Sequence, residues 1–408
     1  MWRHSIKPRP DWKDKVVEQG LVFPMTDMPD GSERPYWNES AWYEVTLEEV
    51  LHLERVTEEL YEMCKHAASV MASGDRFSDS QLGLASGTLP LVRESLKRDD
   101  LSVYARFDLA WNGVEPKMLE INGDTPTGLL ESAVIQWNWL EDVFPDADQW
   151  NSVHDRLVKW WAVNLAAGRF PGNEAHFFNS GAETTGEEAM TVAYLRDTAA
   201  MAGLATYGHE IEDLGWESEQ RAFVDWGGRP IRTAFKLYPW EDMLDDEFGR
   251  YVLAGVEREP VQWIEPIWKT MLSTKAILPV LWELYPDHPN LLPAYFDSPG
   301  DLLEWVAKPL HGREGSNIQI HTIASTDDHV HEGPYDTSTM VYQEWHPLPS
   351  YEGNRAVIGS WVVDGVAAGM MVRESDGPIT DYYARFVPHA IGTEARPDEE
   401  TIQAWLAE

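Results

Sequence analysis

Arg106 and Asp108 lie in the run Ser102-Val-Tyr-Ala-Arg-Phe-Asp-Leu-Ala-Trp111, and Glu120 and Asn122 lie in Lys117-Met-Leu-Glu-Ile-Asn122. Between them stands Asn112-Gly113-Val-Glu-Pro116, an Asn-Gly turn signal closed by a proline. The pattern predicts a hairpin with loop 112–116, Trp111 opposite Lys117, Asp108 opposite Glu120 and Arg106 opposite Asn122. Alternation puts these last four on one face and Val103, Ala105, Phe107, Leu109, Leu119 and Ile121 on the other. Two carboxylates directly across a strand pair repel unless a cation stands between them. Asp, Glu and an Asn carbonyl are hard oxygen donors that suit Mg2+ carrying waters and phosphate oxygens. Spacing alone equally allows a solvated polar face on which Arg106 neutralises Asp108.

A second segment, Val306-Ala-Lys308-Pro-Leu-His-Gly312-Arg313-Glu-Gly315-Ser316-Asn317-Ile318, delivers a lysine on a strand and follows it with a glycine-containing loop. Gly312 and Gly315 there could aim backbone amides at an anion. It is not a Walker A loop, which needs Gly-Lys-Ser/Thr after its glycines, and no Gly-x-Gly-x-x-Gly occurs.

These stretches, with STKAILPVLWELYPDHPNLLPAYF at 273–296, YQEWHPLP at 342–349 and AAGMMVRES at 367–375, resemble the glutathionylspermidine synthase family. The resemblance spans about two thirds of the chain in collinear order and is longest to stand-alone members, without a cysteine-histidine amidase region, so hydrolysis of a polyamine amide is not expected. It implies an ATP-grasp ligase with a strand-helix-strand lobe of pre-ATP-grasp type. It also implies that Asp108, Glu120 and Asn122 hold two Mg2+ ions against nucleotide phosphates, and that Lys275 and Lys308 contact those phosphates. By the same resemblance, Arg106 and Arg373 stand near the transferred phosphoryl group and the acid substrate. Gly312, Arg313, Gly315, Ser316 and Asn317 belong to a loop that closes over the γ-phosphate, and Gln343 and Glu344 to a segment that presents backbone groups to adenine.

The expected activity is ATP- and Mg-dependent joining of a small-molecule acid to an amine through an acyl phosphate. A small-peptide carboxylate and a polyamine are natural candidates, although motifs that bind ATP do not identify either. Two other readings compete: a nucleotide-binding regulatory protein without turnover, and a phosphotransferase that releases a stable phosphorylated product. The joint presence of Asp108, Glu120, Asn122, Lys275, Lys308 and Arg373 favours the ligase, because binding alone has little need for both metal carboxylates and a phosphoryl arginine.

The surrounding elements must position these groups. The chain has 408 residues, 43% hydrophobic, enough for a large core in one ligase domain of packed sub-lobes over 1–408. Its net charge of -37 repels nucleic acid and anionic membranes, and no run of apolar residues is long enough to cross a bilayer. With Cys64 the single cysteine, no internal disulfide can form, and a reducing cytoplasm is the expected address. The 20 Trp residues, Trp160-Trp161 and Trp137-Asn138-Trp139 among them, read as core aromatics.

A capping box at Thr46 and Glu49 opens a helix over 46–73 that carries Cys64 as a structural thiol. Segment 175–216 reads as strand, helix from Gly186 to Ala202, then strand, which makes the class α/β with mixed α+β character. Further helices are expected at 128–142, 150–167 and 271–284, and strands at 102–111, 116–122, 303–309, 339–345 and 356–373. His209-Glu-Ile-Glu-Asp213 lacks the spacing of a helical His-Glu-x-x-His motif and reads as a solvated acidic turn rather than a metal site. His288 reads as a capping group, His311 as a loop residue able to affect specificity, and Lys236 as either a substrate contact or a partner of Trp240.

Overall fold

Three sheets of four to six strands carry the architecture, with three smaller sheets of two or three strands beside them among the described residues. The computed structural model describes residues 1–74, 76–255, 260–324 and 328–392. The central sheet is antiparallel and contains β1 (Tyr104–Ala110) and β2 (Lys117–Asn122). The second is parallel, with β3 (Glu174–Asn179), β4 (Ala205–Glu210), β5 (Thr233–Leu237) and β6 (Gln262–Ile264) in the order β6-β5-β3-β4. The third is antiparallel, with β7 (Trp305–Pro309) between β8 (Ile318–His321) and β9 (Met340–Glu344), and short outer strands at Ala294–Phe296 and His329–His331. The central sheet is completed by β10 (Asn354–Val363), β11 (Val366–Ser375) and Arg385–Val387, in the order β2-β1-β10-β11 and then that last strand.

The long helix α1 (Leu47–Ala72) begins at the expected capping box, with Thr46 accepting from the Glu49 amide and Glu49 reaching back to the Thr46 amide. Its apolar stripe packs on β10 and β11. Thr57 meets Ser360 there, both fully buried, through a 2.7 Å hydroxyl contact. Cys64 is buried in the same face, and burial pushes its thiol up, away from the reactive thiolate. Helices α2 (Val153–Ala166) and α3 (Glu187–Met201) lie together, α3 being the crossover between parallel β3 and β4. Trp139, Trp160 and Trp161 are core residues, whereas Trp137 and Trp226 are exposed, against the expectation that the tryptophans are core aromatics. No helix among the described residues is long and apolar enough to cross a membrane.

Four local expectations need correction. Segment 356–373 is not one strand: Asp364 and Gly365, both at positive φ, turn β10 back into β11. The helix expected at 128–142 carries a π-helical turn over Glu131–Ile135 ahead of its α-helical stretch Gln136–Val143. The helix expected at 271–284 is two pieces, Thr270–Ser273 and α4 (Ile277–Leu284), interrupted at Lys275. Pro279 lacks the amide that would bond the Lys275 carbonyl, so the ladder cannot run through this point. The Lys275 amide instead donates to Leu310, placing Lys275 against the loop after β7.

The fourth correction concerns the hairpin. Arg106 faces Asn122 and Asp108 faces Glu120, as the pattern predicts, but Ala110 rather than Trp111 faces Lys117. A bulge beyond Asp108 leaves Leu119 as the extra residue on β2. Met118 consequently fills the core position assigned to Leu119 and is 1% exposed. Leu119 turns to the opposite face, beside Glu120.

Candidate functional site

Two cavities meet at the polar face of the hairpin. The smaller lies between β7, β8, β9 and the central sheet, lined by apolar Leu119, Val306, Ile318, Ile320, Leu348 and Ile379 together with Lys308, Gln343 and Glu344. The larger is a cleft of about 2140 Å³, counting the part open to solvent, bordered by the loops after β2, β3 and β7. Asp108, Glu120, Gly315 and Thr380 line both.

At this junction Asp108 is buried and Glu120 partly buried, each beside the protein's own cations. Arg106 Nε donates to Asp108 Oδ1 at 3.0 Å, and Arg373 Nη2 donates to Asp108 Oδ2 at 2.5 Å from two strands away. Gly359 on intervening β10 faces Asp108, and a Cβ there would stand 2.6 Å from Met371 and 3.2 Å from Arg106. Only the bare backbone lets the two arginines converge. Lys275 Nζ stands 3.3 Å from Glu120 Oε2 and donates to the Gly312 carbonyl at 2.7 Å. Lys308 Nζ bonds Gln343 Oε1 at 2.8 Å and the Leu119 carbonyl at 2.9 Å, so the bulged residue supplies one of its two acceptors.

Burial by itself would raise the Glu120 carboxyl, but Lys275, Lys308 and Arg106 overcome this and hold it down at about 2. Burial lowers Lys308 to about 8 despite the opposing pull of Glu120. Asn122 Nδ2 lies 3.4 Å from Glu120 Oε1, with its amide oxygen as the third hard donor. An ionised Glu120, Asp108 and the Asn122 amide fit Mg2+ chemically, and the cations that now neutralise them are those expected at phosphates. The anticipated carboxylate repulsion is therefore relieved within the chain, by Arg106 and Arg373 on one partner and Lys275 on the other.

The loop after β7 is only partly as anticipated. Gly315 has φ +70, and a Cβ there would meet Ile379 at 2.3 Å, whereas Gly312 has no positive φ and is required by the Pro309 ring, 2.8 Å from its would-be Cβ. Arg313 reaches into the larger cleft and pairs with Glu241 at 3.1 Å. Ser316 and Asn317 line neither cavity. Asn317 instead holds the neighbouring loop, donating to the Gly333 carbonyl at 2.9 Å and accepting from the Tyr335 amide at 2.8 Å. Gln343 is 2% exposed and fixes Lys308 to the hairpin, with its amide also donating to the Met118 carbonyl at 3.1 Å. Glu344 lines the smaller cavity.

His311 borders the larger cleft and bonds the Gly83 carbonyl. His288 accepts from the Asn290 amide at 3.3 Å, the capping role read from its loop.

Sequence reasoning missed the buried ion pairs beneath the site. Lys236 on β5 is fully buried, 2.8 Å from Asp124 Oδ1, and its ammonium lies over the Trp240 ring at 4.5 Å. Asp124 also accepts from the Trp240 amide at 3.0 Å, and its own amide donates to Ser273 at 2.9 Å. Gly123 makes this approach possible, since a Cβ would lie 2.4 Å from Leu272. Lys236 thus ties the parallel sheet to the segment that follows β2 and does not line the cleft. Lys236→Met would strand the Asp124 charge and is expected to cost about 3–5 kcal/mol. Denaturant midpoints check this, and the Asp124→Asn/Lys236→Met pair should lose less than the summed single changes. A similar pair, Lys269 and Glu265, both 0% exposed, secures the Tyr104 carbonyl and the Val103 and Tyr104 amides at the start of β1.

Known proteins share this arrangement of chain. A Haemophilus influenzae protein named "Putative acid--amine ligase" is 38% identical over 397 residues, 93% of this chain and 97% of that protein. The trypanothione synthetase of Crithidia fasciculata is 29% identical over 336 residues, 76% of this chain but 50% of the relative, so the chain spans about half of that protein. A glutathione synthetase-like effector from Globodera pallida shares the fold with a TM-score of 0.56 at 9% identity, over 94% of this chain and 96% of that one. The family described as "Glutathionylspermidine synthase preATP-grasp" matches residues 3–392. With its ATP-grasp-type fold and a match across nearly its whole length, the chain belongs to the glutathionylspermidine synthase pre-ATP-grasp family.

Proposed function

We propose that this carbon–nitrogen ligase activates a carboxylic acid with ATP, as an acyl phosphate, and passes the acyl group to a cationic amine. The observation that carries the reading is the position of Asp108 and Glu120 at the junction of two unlike cavities. In this reading adenine takes the smaller, apolar cavity, and Lys275 and Lys308 meet the phosphates. Asp108, Glu120 and Asn122 would hold two Mg2+ ions, which supply positive charge to phosphate oxygens when bound. Arg106 and Arg373 orient the acid carboxylate and stabilise negative charge at the transferring group, a task their planar forks suit. The Gly312–Gly315 backbone excludes water that would hydrolyse the activated acid.

The amine is assigned to the larger cleft by its charge. Glu183, Glu187, Glu188, Glu241, Glu314 and Asp381 line it. Burial, with Glu183 and Glu187 nearby, pushes Glu188 up to about 7 against the pull of the Ser180 amide. A raised carboxyl loses its charge as pH falls through that value, and with it the attraction for an ammonium group. At saturating ATP, kcat/KM for the amine is expected to fall below about pH 7, and Glu188→Gln should remove that acidic limb. A profile unchanged by Glu188→Gln would take Glu188 out of amine binding.

The decisive experiment is phosphate release from ATP and Mg2+ across peptides crossed with amines, with Glu120→Ala protein as the blank. Release that needs both an acid and an amine, with hydroxylamine trapping the acid as a hydroxamate, supports the ligase. A stable phosphorylated product formed without amine would identify a phosphotransferase, and ATP binding without release in every combination would favour a regulatory protein.

A further inference from the structure

Away from the cleft, the edge of the parallel sheet gathers two imidazoles and a carboxylate. In the β3–β4 register Tyr207 faces His176 and His209 faces Phe178, so His176 and His209 are diagonal neighbours on one face of the sheet. His176 Nδ1 lies 3.1 Å from His209 Nε2. After β4 the chain forms a short ribbon of Gly215–Glu217 and Ala222–Val224, and its exit delivers Asp225 to the same spot. The amides of Gly227 and Arg229 donate to Asp225 Oδ1 at 3.0 and 2.9 Å. Oδ2 is left facing the rings, 4.0 Å from His176 Nδ1 and 3.9 Å from His209 Nε2. His176 is 1% and Asp225 7% exposed, and His209 forms the more open side.

Only one hydrogen fits between two ring nitrogens at this separation. With neutral rings that hydrogen joins the two imidazoles, and Asp225 Oδ2, about 4 Å from both nitrogens, receives a hydrogen bond from neither ring in a buried setting, an arrangement that a shared cation would satisfy. Three atoms with these separations share a centre about 2.1 Å from each, the length of zinc–nitrogen and zinc–oxygen bonds. Two imidazoles with one carboxylate suit zinc and its neighbours far better than Mg2+ or Ca2+. His176 Nε2 has no hydrogen-bond partner, so packing orients this ring, with Tyr207 centred 5.0 Å away and Phe178 stacked at 6.4 Å.

We propose that His176, His209 and Asp225 form a binding site for a zinc-class divalent ion, with the fourth position open to water or another ligand. The ion clasps the ribbon exit to the sheet edge. It also steadies the turn after β4, where Glu212 accepts from the Gly181 amide at 2.9 Å and the Ser180 hydroxyl at 3.2 Å. That contact holds the loop that carries Glu183 to the larger cleft.

The test is Co2+ titration of the full chain after chelator treatment, in millimolar Mg2+ to occupy the oxygen donors around Asp108 and Glu120. One Co2+ per chain is expected, with the visible absorption of a nitrogen-ligated ion and displacement by Zn2+. His209→Ala and Asp225→Asn should each weaken binding by more than the roughly 10–100-fold that loss of an outer-shell partner costs. Glu120→Ala should leave this binding unchanged. Asp225→Asn keeps the side-chain shape, so circular dichroism can verify its fold even if His209→Ala is unstable. Absence of the Co2+ spectrum in the unaltered chain, or Co2+ bound equally well by the unaltered chain and both variants, would overturn the site.

Discussion

Replacing Glu120 with alanine is expected to lower kcat by about 1000-fold or more, equivalent to roughly 4 kcal/mol of transition-state stabilisation. The change removes one of two cross-strand oxygen donors and the counter-charge of Lys275 and Lys308, leaving two buried ammonium groups beside each other. A second effect follows from the depressed carboxyl. Because Glu120 titrates at about 2 in the fold, against 4.5 ordinarily, its stabilisation is complete above the ordinary value and is lost as pH falls towards 2. Near neutrality the alanine variant should therefore melt earlier than the unaltered protein, and the two should converge in acid. Turnover must be compared at a temperature where circular dichroism shows both folded. Normal phosphate release by a folded Glu120→Ala protein in saturating Mg2+ would remove Glu120 from the chemistry.

Arg373→Ala is the second large effect, a fall in kcat of about 100–1000-fold with ATP affinity changed less than about tenfold. Its guanidinium is held over Asp108 from β11, at the meeting point of the cavities rather than in the apolar one. Burial would lower its affinity for the proton, yet Asp108 and Glu120 reverse this and raise it, so Arg373 keeps its charge throughout. A role in orienting the acid and the transferring group touches catalysis more than nucleotide capture. Arg373→Lys should recover only part of the rate, because an ammonium keeps the charge but not the two-pronged geometry. An alanine variant with an unaltered kcat, or with its whole defect in ATP binding, would refute this role.

How much of this site could be read from the chain depended on how locally each part was specified. Alternation and an Asn-Gly turn were enough to pair Asp108 with Glu120 and Arg106 with Asn122. They did not reveal the bulge at Leu119, an extra residue with no partner on β1 whose carbonyl is held by Lys308 from another sheet. The break at Lys275 was legible in Pro279, whose missing amide interrupts the helix, although the periodicity of 271–284 concealed it. Ser316 and Asn317 lie within the loop expected over the γ-phosphate, yet their side of the loop packs on 333–335, a neighbour no local pattern identifies.

His209 illustrates the same limit from the other direction. Its own neighbours, Glu210, Glu212 and Asp213, have no metal-ligand spacing, and the groups that meet it are His176 from the adjacent strand and Asp225 from the ribbon exit. The chain alone determined the capped helix, the strand-helix-strand unit, the carboxylate hairpin and the family motifs, since each rests on periodicity, caps or turns within a few residues. Tertiary structure decided which cations neutralise Asp108 and Glu120, which lysines are buried, and where the two cavities meet. Those outcomes depend on distances between residues such as Asp108 and Arg373, or Asp124 and Lys236, that lie more than a hundred positions apart and are set only when the strands and sheets pack.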